Sequence, residues 1–276
     1  MDYFFSLEHQ DLTGHVTVSN YPPVGGRFKA TENMTVYATH PDKDAWNTRA
    51  LGVLELGESR TYSAAEVFPD AVDGVKAFFL YPGDLPRKVE KLPVPTIMET
   101  RPAWRGNIQL RSSVTTASYQ GEYPGGMLQI QNGTMVSLSP MVQTGYGINT
   151  SLLFVHMGLT PEIEPRSLIV GRMRDQVPID VREIKTNSCT VIDLVEYGDR
   201  PEDPLCFFSP DTAGVPLYLS YDQGYRHMSI EHSHPPTELL VFGSVQVRRE
   251  VASSLKRFWL TRMVVDSATQ TDLGPV

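Results

Sequence analysis

Apolar and polar positions along this chain switch in short bursts. Asn107-Ile108-Gln109-Leu110-Arg111 alternates at every residue, the period of a half-buried strand. Met127-Leu128-Gln129-Ile130-Gln131 does the same and closes on an Asn132-Gly133 turn signal. Strands are also expected at 15–18, 34–38, 51–56, 77–81, 151–156, 167–170, 189–194, 216–220 and 239–242, with Gly and Pro between many of them. Many short strands at near-regular spacing predict an all-β sandwich or barrel.

One segment has a different period. From Glu250 onward the apolar residues are Val251, Leu255, Phe258, Trp259 and Met263, which share one face of a 3.6-residue turn. Lys256, Arg257 and Arg262 lie off that stripe, and basic residues suit the C-terminal half of a helix. The spacing predicts a helix over 250–263, packed on the sheet, docked to a partner or lying on a membrane surface.

A weak internal repeat runs through the chain. Residues 58–67 resemble 185–194 in pattern, and each stretch leads to an acidic turn, at Pro69-Asp70 and at Gly198-Asp199. Later, Ser118-Tyr119-Gln120-Gly121 echoes Ser220-Tyr221-Asp222-Gln223-Gly224. The expected fold is mainly β, with two tandem sandwich or barrel units and a C-terminal α-helix. The first unit is 1–145 with a Pro-rich insertion at 87–102, and the second is 146–276 with the helix at 250–263.

Charge narrows the partners. The 276 residues carry 24 Lys and Arg against 32 Asp and Glu, a net −8. An acidic chain lacks the broad basic field that nucleic acid needs. No apolar run approaches the ~20 residues of a membrane span, and the N-terminus has no basic start or cleavage-type site. Two cysteines, Cys189 and Cys206, do not make a disulfide framework. A soluble, cytoplasmic protein is expected, with homo-oligomerisation left open.

Candidate chemistry concentrates late in the chain. Three of the seven histidines, His227, His232 and His234, fall within eight positions. On an extended segment Met228, Ile230, His232 and His234 share one face, and Ser229, Glu231 and Ser233 the other. Two imidazoles two residues apart on a strand can reach one divalent ion, with Glu238 returning as an oxygen ligand after Pro235-Pro236. The alternatives are a metal-free ligand contact and a loop at the sheet rim. Tyr218, Tyr221 and Tyr225 lie close by in sequence and, with His227, are candidates to contact a sugar or polar ligand.

His-x-His followed by x3-Glu resembles the first metal motif of the cupin family, small β-barrels that often hold iron, manganese, nickel or zinc. The resemblance implies metal ligands at His232, His234 and Glu238. It departs from the family at Arg226, where a glycine is usual, at Gly243, which comes early, and in having no histidine after His234. Residues 189–194 and 215–220 are similar to the sensory-rhodopsin-transducer type of small β-sandwich, which implies ligand or partner binding. Two functions stay open on these grounds. One is a binding protein for a carbohydrate, a polar small molecule or a protein partner, with one divalent metal (Zn, Mn, Fe or Ni) as an addition. The other is a cupin-type metal-dependent isomerase or oxygenase.

Overall fold

Runs of β-branched and aromatic residues between tight turns give eighteen strands among the described residues. The computed structural model describes residues 2–21, 33–71, 73–94, 106–129, 135–138, 147–172, 178–198 and 205–232. In chain order these are β1 (Asp2–Phe5), β2 (Thr13–Asn20), β3 (Asn33–Asp42), β4 (Ala45–Glu55), β5 (Glu58–Ser63), β6 (Ala77–Tyr81), β7 (Lys88–Val89), β8 (Asn107–Arg111) and β9 (Thr116–Gln120). There follow β10 (Tyr123–Pro124), β11 (Met135–Leu138), β12 (Ile148–Val155), β13 (Pro165–Arg172), β14 (Pro178–Lys185), β15 (Cys189–Asp193), β16 (Leu205–Ser209), β17 (Val215–Asp222) and β18 (Met228–His232). A single helical turn, α1 (Ala64–Val67), follows β5, and a 3-10 turn (Val195–Tyr197) follows β15.

The strands pair antiparallel in four sheets, ordered β10-β1-β6-β3-β4-β7, β5-β2-β8-β9, β11-β16-β13-β14 and β15-β12-β17-β18. The order β1-β6-β3-β4 recurs as β11-β16-β13-β14, and β5-β2-β8-β9 recurs as β15-β12-β17-β18. Each strand keeps its place in the sequence of its set, and β7 and β10 are extra strands of the first.

Three apolar cores lie between these sheets. Phe4, Val16, Val18, Met34, Val36 and Phe78 form one, between the first two sheets. Leu152, Phe154, Leu168, Val170, Phe207 and Tyr218 form another, between the last two. The largest joins the two sets: Tyr3, Phe5, Tyr37, Trp46 and Phe79 on one side, and Leu153, Val155, Leu217, Leu219 and Ile230 on the other. Strands β6 and β12 touch a core on both faces, since Phe78 and Phe79 enter different cores, as do Leu153 and Phe154. Accordingly each carries an unbroken apolar run, Ala77-Phe78-Phe79-Leu80 in β6 and Leu152-Leu153-Phe154-Val155 in β12. Strand β2 buries Val16, Val18 and Asn20, while Thr17 and Ser19 pair across to Thr61 and Ser59 on the outer face. That face of β5-β2-β8-β9 is a lattice of hydroxyls and amides, with Gln109, Asn107 and Ser118 in register beside them.

One expectation changes. Met127-Leu128-Gln129 does not extend as a strand: it lies in a 3-10 turn, Gly125–Gln129, after β10. The turn buries Leu128 in the central core with its neighbour Met127 packed against the same core, so the alternation around it does not reflect a pleat. Within the Pro-rich stretch, β7 pairs with Trp46 and Asn47 of β4, Leu92 enters the central core, and the Tyr3 hydroxyl donates to the Pro93 carbonyl at 2.6 Å. This part of the stretch is tied into the fold. The expected strand at 239–242 and helix at 250–263 lie outside the described residues.

Candidate functional site

Polar side chains from both sets of strands meet along their seam. The β1–β2 connection is pinned by buried Phe5 and Leu7 on one side and by a hydrogen bond from Ser6 N to Lys76 O, 2.7 Å, on the other. Val75 N donates to Asn187 O at 2.8 Å, which ties the approach to β6 to the β14–β15 turn. Two cavities of about 450 and 490 Å3 open along this junction, and Ser6, Glu8 and Cys189 line both. They form one groove with Lys76, Asp73, Glu183 and Lys185 toward one end and His9, Gln10 and Gly14 toward the other.

The charges in the groove are mixed. The Lys76 side chain is 8 % exposed and pairs with Glu8, which is 51 % exposed. An ammonium enclosed to that degree needs its carboxylate partner to offset lost hydration. Burial pushes the Cys189 thiol up to about 12. At neutral pH it stays a thiol, a weak hydrogen-bonding group and a poor nucleophile.

His9 anchors the other end. Its Nε2 lies 3.3 Å from Ser151 Oγ, and its ring meets the edge of Tyr221 at 4.8 Å. Its Nδ1 is enclosed and has no hydrogen-bond partner among the described residues. Burial holds this imidazole below its ordinary pKa, against an opposing pull from Asp193. Ser151 is 1 % exposed, so the pair does not present a nucleophile to solvent.

Asn187 is the hinge pin of the seam. It adopts φ 48°, a left-handed conformation that Asn tolerates well. Its Nδ2 donates to the carbonyls of Thr160 and Glu162, its Oδ1 accepts from Gly158 N at 2.6 Å, and its N–H donates to His156 Nδ1 at 3.0 Å. Burial pushes His156 down to about 4, helped by the Arg166 guanidinium.

The residues singled out from sequence are dispersed. Tyr221 and Tyr225 stack on each other, centroids 5.1 Å apart, and the Tyr225 hydroxyl donates to Gln10 Oε1. With His9 against them, these rings cover one another. Tyr218 lies on the opposite face of β17, inside the second core, with its hydroxyl 2.9 Å from Ser137 Oγ. His227 stands in solvent beside Asp222, with Nδ1 3.3 Å from Oδ2. On β18 the alternation is as expected: Ile230 is buried, Met228 packs against the central core, and Ser229 and Glu231 face out. The His232 ring stacks on Tyr119. His234 and Glu238 lie outside the described residues, and among the described residues no three His, Cys, Asp or Glu side chains are grouped to hold an ion. Nor is any described helix long and apolar enough to cross a membrane.

The groove residues carried no sequence signal. Glu8 and Lys76 are far apart in the chain and are brought together by the β1–β6 pairing, and Cys189 joins them only because the two sets of strands pack together. Compared with family models, with curated proteins and with solved structures, the chain matches none.

Proposed function

We propose that the chain is a binding protein built from two copies of one β-sandwich, and that it takes a small polar molecule in the groove at their seam. The recurring strand order supports the duplication. In this division β11, which pairs with β16, belongs to the second copy, so the boundary falls between Gln129 and Met135. The observation that carries the functional reading is the pair of adjoining cavities lined from both copies and sharing Ser6, Glu8 and Cys189. Junctions between packed units are where ligand clefts concentrate, and a few convergent polar groups set their specificity.

The chemistry favours a polar ligand with both donors and acceptors. Lys76 and Lys185 offer N–H groups, while Glu8, Asp73 and Glu183 offer carboxylate oxygens. Among the described residues no Phe, Tyr or Trp ring lines either cavity, so these residues offer no broad stacking platform of the kind a typical sugar site uses. The test is a thermal-shift and calorimetric screen of the full chain against free amino acids, polyols and mono- and disaccharides. A ligand of the groove should raise the melting temperature. Lys185→Glu should weaken it at least about tenfold, a loss of ~1.4 kcal/mol. Lys88→Glu, on the remote strand β7, should leave binding unchanged. A screen without a hit, or binding indifferent to Lys185→Glu, rejects the groove.

A further inference from the structure

We infer that residues 250–263 form an amphipathic helix lying on the outer face of the β11-β16-β13-β14 sheet, over Ile169, Cys206 and Phe208. The starting point is an imbalance in the cores. Every buried apolar residue among the described ones belongs to one of the three cores, with three exceptions. Those exceptions are Ile169 (5 % exposed), Cys206 (1 %) and Phe208 (1 %). They are neighbours: Ile169 lies opposite Phe208 in the β13–β16 pairing, and Gly171 lies opposite Cys206. All three point away from the second core, because the residues that alternate with them, Leu168, Val170, Leu205 and Phe207, point into it. Apolar side chains this enclosed need a covering layer, and none of the described cores supplies it.

The internal repeat says what kind of layer. In the first set, β3 and β6 hold the places of β13 and β16. There Tyr37 lies opposite Phe79, and both are covered in the central core by the sheet of β12 and β17. Strand β16, Leu-Cys-Phe-Phe-Ser, reads like β6, Ala-Phe-Phe-Leu-Tyr: apolar on both faces. It therefore calls for a cover where the described strands offer no third sandwich.

A second copy of the chain does not fit that role by continuing the same stacking. The surface it would bring is the outer face of β5-β2-β8-β9, a lattice of Thr17, Thr61, Ser19, Ser59, Gln109 and Ser118. Burying those hydroxyls and amides against Phe208 would cost desolvation without new partners. The chain itself carries a better complement. Its stripe of Val251, Leu255, Phe258, Trp259 and Met263 is apolar, and the helix it makes is about 21 Å long, close to the length of a six-residue strand. The connection from His232 at the end of β18 to Glu250 reaches about 60 Å when extended, ample to round a sandwich with ~10 Å between its sheets.

Cys206 is a reporter in place for the test. In full-length protein carrying Cys189→Ser it is the only thiol. Phe258→Asp and Trp259→Asp should raise its alkylation rate at least about tenfold by opening the cover, while Lys256→Asp, off the stripe, should not. Because either Asp variant could disturb the whole fold, a second measurement uses near-native chains. Leu255→Cys, Phe258→Cys and Trp259→Cys are oxidised one at a time, and at least one should form an intramolecular disulfide with Cys206, which requires Cα atoms about 4.4–6.8 Å apart. Arg257→Cys should not. Continued protection of Cys206 in both Asp variants would overturn the inference. So would cross-linking to a cysteine placed at Met141 or Met173 in preference to the stripe, or disulfides that form only between chains.

Discussion

The rings of Tyr119 of β9 and His232 of β18 stack nearly parallel, with centroids 5.9 Å apart and planes 13° from parallel. The contact joins one strand from each set at the rim of the central core. Truncating either ring should weaken the seam, and the coupling should show in a double-mutant cycle. Tyr119→Leu and His232→Leu are expected to cost less together than the sum of their single effects, by about 0.5–1.5 kcal/mol. Chemical unfolding of the four proteins measures it.

His232 also belongs to the cupin-like pattern, which can be tested directly. An ion held by His232, His234 and Glu238 would bind neutral imidazoles, so added Zn, Mn, Fe or Ni should raise the melting temperature above ~pH 6.5 and lose effect below it. His232→Ala should remove that gain and Glu231→Ala, on the outward face, should keep it. A dialysed chain indifferent to all four metals rejects the ion and leaves the seam groove untouched.

Asn187→Ala should be among the most damaging single changes outside the cores. It removes two donated hydrogen bonds and one accepted bond at a site 2 % exposed, and it forfeits the residue type that suits φ 48°. Leaving buried groups unpaired makes the expected loss about 2–4 kcal/mol. The midpoint of urea unfolding reads it directly.

Stability should fall as the solution is acidified through the range set by His156. Unfolded, this imidazole takes its proton near pH 6.5; folded, it resists until about 4. Between these values the unfolded chain holds the extra proton, so the folded state loses ground as pH drops, by up to ~1.4 kcal/mol per unit and about 3 kcal/mol in all. Below about pH 4 both states are protonated and this loss levels off. Burial lowers His9 and His40 as well, and they act in the same direction. In His156→Gln the dependence of stability on pH should be shallower by close to one proton.

Gly14→Ala tests the closeness of the β1–β2 connection. A Cβ there would sit 2.1 Å from Ser6 Oγ and 2.3 Å from the Leu7 carbonyl oxygen. The hydroxyl can rotate away but the carbonyl cannot, so the groove wall must shift, at a cost of about 1–3 kcal/mol or more. Gly126→Ala, where a Cβ meets nothing within 4 Å, should change the melting temperature little.

How much of this was readable beforehand follows from which faces meet water. Strands β2 and β8 alternate cleanly because one side is core and the other is solvent. Strand β14 passed unread because its exposed positions include Ile179 and Val181, which blur the alternation. Parity was informative where it was applied, at Ile230 and His232, and would also have separated Tyr218 from Tyr221. The similarity of 58–67 to 185–194 falls on β5 and β15, which hold the same place in their sheets. The Ser-Tyr echo falls on β9 and β17, which do not. The groove had no local pattern to read, since Glu8, Lys76 and Cys189 become neighbours only through long-range packing.

Trp46 carries a consequence for the order of assembly. Its ring belongs to β4, yet its Nε1 donates to the carbonyl of Leu159, 113 residues further on, at 3.1 Å. During synthesis the first nine strands can pair long before that carbonyl leaves the ribosome, and units of this size tend to fold as they emerge. The nascent chain must then wait with an apolar sheet face unsheathed, including Tyr3, Tyr37 and Phe79. That interval is its greatest exposure to aggregation, and the indole, dimmed or brightened as the second set closes over it, is a native clock for how long the wait lasts.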